Sequence, residues 1–309
     1  MELSHIAEFL GGSLGSQKSH WSSEGVAAIA GRSLPEGFLG IRSSILRADI
    51  NLVWARWFAE SICGPTCMQQ ATSGYAFLLR EVRNQIDLRF NDYSHEERSG
   101  LSKVMARFVL EEIEQQQNRR QTIARVERMN LLDSTGSQPR CWICGYAFEQ
   151  LAIDYFLGGL KPELLRAFVD FAKPRLKPRD YLIEIDHKDP FSQGGGGEDN
   201  LALACGWCNK TKGARLSIYD VRANPLSFRH PRRGLMSVPR PFWVVRTLAL
   251  RGQCEEQSCK RSISNTELTV QPRNPSGAMN PMNMMVTCLE HDRVGEDRLV
   301  NRRQVESLG

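Results

Sequence analysis

The chain has 309 residues, 41% hydrophobic and 24% charged, with a formal net charge of +5. That balance fits a globular protein of about two domains and excludes a disordered chain. No apolar run approaches the roughly 18 residues needed to span a bilayer, so no membrane partner is expected.

The start, MELSHIAEFLGGSLGS, lacks the basic region and long apolar core of a signal peptide, so the expected location is cytoplasmic. Nine cysteines in a reducing compartment point to metal binding rather than disulfides. Residues 1–20 read as a flexible lead-in, because glycine and serine dominate positions 11–19.

From about Trp21 to Leu132 the pattern is helical, giving a domain over 21–135. Ile41, Ile45, Leu52 and Trp57 fall near one another at helical spacing. Farther along, Leu101, Val104, Met105, Phe108 and Val109 form a face that Ile123, Val126 and Met129 resume, with Ser99 as the expected cap. These stripes are packing surfaces; the region would serve DNA or protein docking, or homodimerisation. Cys63-x3-Cys67 has neither a nearby histidine nor a second pair, and reads as a pair of thiols.

The turn-rich DSTGSQPR (133–140) marks a boundary. Beyond it, Cys141-x-x-Cys144 and Cys205-x-x-Cys208 are two knuckles whose four thiolates would complete a closed tetrahedral zinc shell, a structural arrangement. Two short helices are expected between them, near 146–157 and 162–173, the second with Leu164, Leu165, Phe168 and Phe171 on its apolar face. Tyr181–Asp186 alternates as a strand, and Asn200–Cys205 reads as its partner. Asn209 is expected to open a short helix carrying Lys210, Lys212 and Arg215.

From Lys210 to Arg251 stand ten Lys or Arg against one acid, Asp220. Such a block suits a polyanion, whose condensed counterions are released on contact. Lys210, Arg215, Arg229, Arg232, Arg233 and Arg240 are the candidate DNA contacts. Toward the end, Cys254-x4-Cys259 and Cys288-x-x-His291 form a second candidate zinc set in a region resembling a zinc ribbon (251–295), followed by a charged tail (296–309).

One order of residues is distinctive: Glu184-x-Asp186-His187, Pro190, a glycine-rich turn, Asn200-Leu201, then Cys205-x-x-Cys208-Asn209-x-x-Lys212. This resembles the HNH endonucleases and their ββα-metal fold, over roughly residues 141–216. The resemblance implies that Asp186 is a metal ligand, His187 the general base, Asn200 a brace for the histidine loop, and Asn209 the second metal ligand. Lys212 would contact substrate phosphate or stand as a solvated helix lysine, and Glu184 would act behind the metal ligands.

The chemistry agrees: phosphodiester hydrolysis needs a base that is neutral near pH 7 and hard oxygen ligands for Mg²⁺ or Mn²⁺. The expected fold is therefore α+β and mainly helical. A helical N-terminal domain precedes a zinc-stapled HNH domain over 136–250, with a helical insertion at 145–180, and a small C-terminal region follows.

The expected activity is metal-dependent nicking of DNA, in restriction or anti-phage defence. The alternatives are a zinc-stabilised DNA-binding adaptor with little or no catalysis, a mobile-element nuclease, and an enzyme directed at RNA.

Overall fold

A computed structural model of the chain describes residues 3–16, 22–35, 40–63, 74–117, 124–160, 162, 168–173, 177–188 and 200–301. It divides into two compact units, Met1–Asn51 and Leu52–Gly309. In the first, helices α1 (Leu3–Ser16) and α2 (Ser23–Ala30) pack together, α1 running through the glycine- and serine-containing start. Helix α3 (Ser43–Ile62) begins in this unit and ends in the second.

The helical part of the second unit is built on spacing. Helix α4 (Tyr75–Arg89) buries Leu78, Val82 and Ile86, four apart and on one face. These close on Ala59 and Ile62 of α3 and on Met105, Ala106 and Val109 of α5 (His95–Gln117).

The expected faces need correction at their edges. Val104 is 66% exposed, because the buried stripe of α5 centres on Met105, Ala106 and Val109, with Phe108 partly buried beside it, and leaves Val104 on the flank. Trp57, Val126 and Met129 are exposed as well, while Ile123 lies outside the described residues. Ser99 is not the cap. The helix starts at His95, and Ser94 and Glu97 bond reciprocally across its first turn, a capping box. Cys63 is disulfide-bonded rather than a thiol.

Helix α6 (Arg125–Ser134) leads through a left-handed Gly136 to the first knuckle, and α7 (Gln150–Phe156) follows it. Phe168–Asp170 is strand β1 rather than the end of a second helix. It pairs antiparallel with β8 (Leu299–Asn301), so a partner about 130 positions away overrides local helical spacing; Leu164 and Leu165 lie outside the described residues.

Strands β2 (Ile183–His187) and β3 (Leu201–Cys205) pair antiparallel, with Asp186 opposite Ala202 and His187 opposite Leu201. Helix α8 (Gly206–Lys212) packs back on both, completing a ββα unit. It opens at Gly206, three residues before Asn209, so Cys208 is itself helical. Gly206 allows a close approach there: a Cβ would lie 3.1 Å from both Asp180 Cα and Glu184 Oε1, so a larger residue would make its neighbours shift.

The basic block then folds into the hairpin β4 (Leu226–His230) and β5 (Gly234–Val238) and helix α9 (Pro241–Arg251). A proline at its first turn and left-handed Gly252 bound this helix, which buries Phe242, Trp243, Val244, Val245 and Leu248. Strands β6 (Leu268–Pro272) and β7 (Met284–Cys288) form the last hairpin.

Buried Arg298 reaches Asp292 (2.7 Å), Asp170 (3.4 Å) and the Val270 carbonyl (3.0 Å), tying β8 to β1 and β6. Among the described residues the sheets are four two-stranded antiparallel ones, and no helix is long and apolar enough to cross a membrane.

Candidate active site and metal centres

The ββα unit sets two rungs between strand and helix. Glu184 and Asp186, two apart on β2, share a face. Asn209 and Lys212, three apart on α8, do likewise. Asn209 Nδ2 donates to Glu184 Oε2 at 2.7 Å, and Lys212 Nζ donates to Asp186 Oδ1 at 3.0 Å. A carboxylate only accepts, so the first rung fixes which end of the Asn209 amide faces Glu184 and turns its carbonyl oxygen the other way.

Asp186 is buried, and its second oxygen, Oδ2, accepts from the Trp142 indole N–H at 3.0 Å. Burial lifts its carboxyl above the ordinary value, against the pull of Lys212 and Trp142. Lys212 also donates to the His187 carbonyl (2.6 Å), and its ammonium stands 6.0 Å from the centroid of the Trp142 ring. It is 8% exposed, so it is not a solvated helix lysine.

His187 is half-buried at the end of β2, and desolvation holds its imidazole below the ordinary pKa, leaving it neutral at pH 7. The Lys188 amide donates to the Asn200 carbonyl (2.8 Å), placing Asn200 one step beyond the His187–Leu201 pair. Asp186, His187, Asn200, Asn209 and Lys212 are thus gathered on one ββα unit, while Pro190 and the glycine-rich turn lie outside the described residues. Asp186 and Asn209 offer hard oxygens of the kind that Mg²⁺ or Mn²⁺ takes.

The knuckles converge as their spacing requires. The sulfurs of Cys141, Cys144, Cys205 and Cys208 lie within 4.8 Å of one another and are all buried. Burial pushes the Cys208 thiol well up, whereas Cys141, against the effect of burial, is held well below its ordinary value by hydrogen bonds from the neighbouring sulfurs. Lys173 supplies charge nearby: buried, its ammonium pairs with Glu267 (2.6 Å), and despite desolvation the Cys144 and Glu267 charges hold its pKa well above the ordinary value.

The second set also assembles. Cys254, Cys259, Cys288 and His291 lie within 4.8 Å, with His291 Nδ1 at 3.6 Å from Cys254 Sγ and 3.4 Å from Cys288 Sγ. Tetrahedral zinc at its usual bond lengths separates nitrogen and sulfur by about 3.6 Å, so the donor set fits. Buried Gln271 holds the histidine loop at both ends, donating to the His291 carbonyl and accepting from the Arg293 amide.

The basic candidates divide. Lys210 and Arg229 are exposed. Arg215 leans over the Phe242 ring at 5.8 Å, and Arg240 donates to the Asn224 carbonyl. Arg232 and Arg233 both pair with Asp297, at 2.5 and 2.6 Å.

Sequence reasoning missed Trp142, Lys173 and Gln271. Trp142 had one signal, its place inside a knuckle; the other two are defined by partners 94 and 20 positions away.

Residues 174–215 match the family model described as HNH endonuclease. No match was found among curated proteins or among solved structures. The chain therefore carries an HNH endonuclease domain, centred on the hairpin and helix that present Asp186 and His187.

Proposed function

We propose that the chain is a divalent-metal-dependent endonuclease that hydrolyses DNA phosphodiester bonds one strand per event. The observation that carries this reading is the presentation of Asp186 and Asn209 by facing elements of one ββα unit, with His187 next in the strand.

His187 accepts the proton of the attacking water, as an imidazole can at neutral pH. Asp186 and the Asn209 carbonyl oxygen would hold the ion, Mg²⁺ or Mn²⁺. When bound, that ion relieves charge on the scissile phosphate and the leaving 3′ oxygen. Asn200 braces the histidine loop. Exposed Lys210 and Arg229, with Arg215 and Arg240, bind backbone phosphate, which predicts salt-sensitive, largely sequence-independent affinity.

Zinc is the structural ion at both cysteine clusters. The helical N-terminal region docks DNA or a partner, a plan that suits restriction or anti-phage defence.

Plasmid nicking in Mg²⁺ is the test. His187→Ala should abolish it, a loss of at least about 10²-fold for removal of a general base, while DNA binding survives. The rival reading, a zinc-stabilised DNA-binding adaptor, draws support from the Lys212 ammonium that already neutralises Asp186. It prevails if wild-type protein nicks neither DNA nor RNA with Mg²⁺ or Mn²⁺.

A further inference from the structure

The Asp186 carboxylate has two neighbours of different character. Trp142 lies between Cys141 and Cys144, both fully buried, and its backbone amide donates to the Leu203 carbonyl on β3 at 2.9 Å. Its indole is therefore aimed by the cysteine staple on one side and by the hairpin on the other. While Ile143 of the same knuckle is fully buried as packing, Trp142 is only half-buried and spends its N–H on Asp186 Oδ2.

Lys212, in contrast, reaches Oδ1 on a flexible four-carbon stem from the last turn of α8. A cation arriving at Asp186 competes for Oδ1 with the Lys212 ammonium, which keeps the His187 carbonyl as a second acceptor, and leaves the indole in place on Oδ2. A neutral N–H donor orients the carboxylate without cancelling its charge.

We infer that Trp142 is a positioning residue that holds Asp186 as a one-oxygen ligand for a divalent cation, coupling the cysteine staple to the hydrolytic centre. The inference rests on the nuclease reading above. Groups that orient metal ligands in this way typically contribute about 10- to 100-fold to metal affinity.

Trp142→Phe keeps an aromatic ring beside Lys212 and removes the indole N–H together with the five-membered ring that carries it. In zinc-loaded protein, Mn²⁺ binding is followed by electron paramagnetic resonance, with Asp186→Asn as the reference for loss of the site. Nicking is followed over a Mg²⁺ series. The variant should keep its zinc and its melting temperature, bind Mn²⁺ about tenfold more weakly, and need about tenfold more Mg²⁺ for half-maximal nicking, with the saturated rate largely recovered. A purely packing role would leave metal affinity alone.

Wild-type Mn²⁺ affinity in Trp142→Phe overturns the inference and leaves the nuclease reading standing, provided wild-type protein nicks. Absence of both nicking and Asp186-dependent Mn²⁺ binding in wild-type protein overturns both. Should the variant lose its zinc, the indole N–H resonance of Trp142 in the folded wild-type protein decides. It should be slow to exchange with solvent and shift in Asp186→Asn; fast exchange with no shift overturns the inference.

Discussion

Gly145, directly after the first knuckle, shows how much one residue can carry. Its φ is +70°, and a Cβ there would lie 2.1 Å from the Thr266 carbonyl oxygen and 2.9 Å from Ile263 Cα, both backbone atoms that cannot swing aside. The Cys144 carbonyl meanwhile accepts from the Leu268 amide at 2.8 Å, so the knuckle is laid against the start of β6. Gly145→Ala combines a left-handed backbone with a collision, and should cost about 3 kcal/mol or more. Denaturant melts of zinc-loaded protein measure this, and the variant should also release zinc more readily. Asp186, His187 and Asn209 were legible as members of one ββα unit because residue type and order mark them. Trp142 was not, because the residue it serves is 44 positions away.

The elements were legible where one hydrophobic period ran unbroken. The alternation of β2 and the partnership of β2 with β3 stand close to where the pattern placed them. Ends were less so: Ser94 and Ser99 both precede apolar runs, and only the reciprocal bond with Glu97 singles out Ser94. Ser94→Ala should therefore destabilise the protein by about 1 kcal/mol in a thermal melt at pH 7, and Ser99→Ala should change little. The cap also carries a pH signature. Ser94 holds the Glu97 carboxyl below its ordinary value, so its contribution is present above the unfolded pKa and is lost as pH falls through the lower folded one. The melting difference between wild type and Ser94→Ala should shrink across that acidic window.

On the scale of the whole molecule, two cysteine clusters fasten segments far apart in the chain. The first joins residues 141–144 to 205–208, and the second joins 254–259 to 288–291. Purified protein should contain two zinc ions per chain, and Cys288→Ser should hold one. Because the second cluster lies outside the ββα unit, nicking by Cys288→Ser should persist at moderate temperature while the melting temperature falls; elemental analysis beside a melt and a nicking assay checks this. One zinc in wild-type protein would remove the second centre, and its Gln271 clamp would then serve the hairpin alone.

The sequence by itself determined the chemistry: an acid, a histidine and an amide in HNH order, two sets of soft ligands at knuckle spacing, and helices before them. These are properties of residue type and local interval, which a chain carries before it folds. Only the tertiary structure decided what surrounds each group. It gave Lys212 to Asp186 and Glu184 to Asn209, tied Arg232 and Arg233 to Asp297, and paired β1 with β8. Those outcomes depend on contacts between distant positions, and no local spacing encodes which partner a polar group finds.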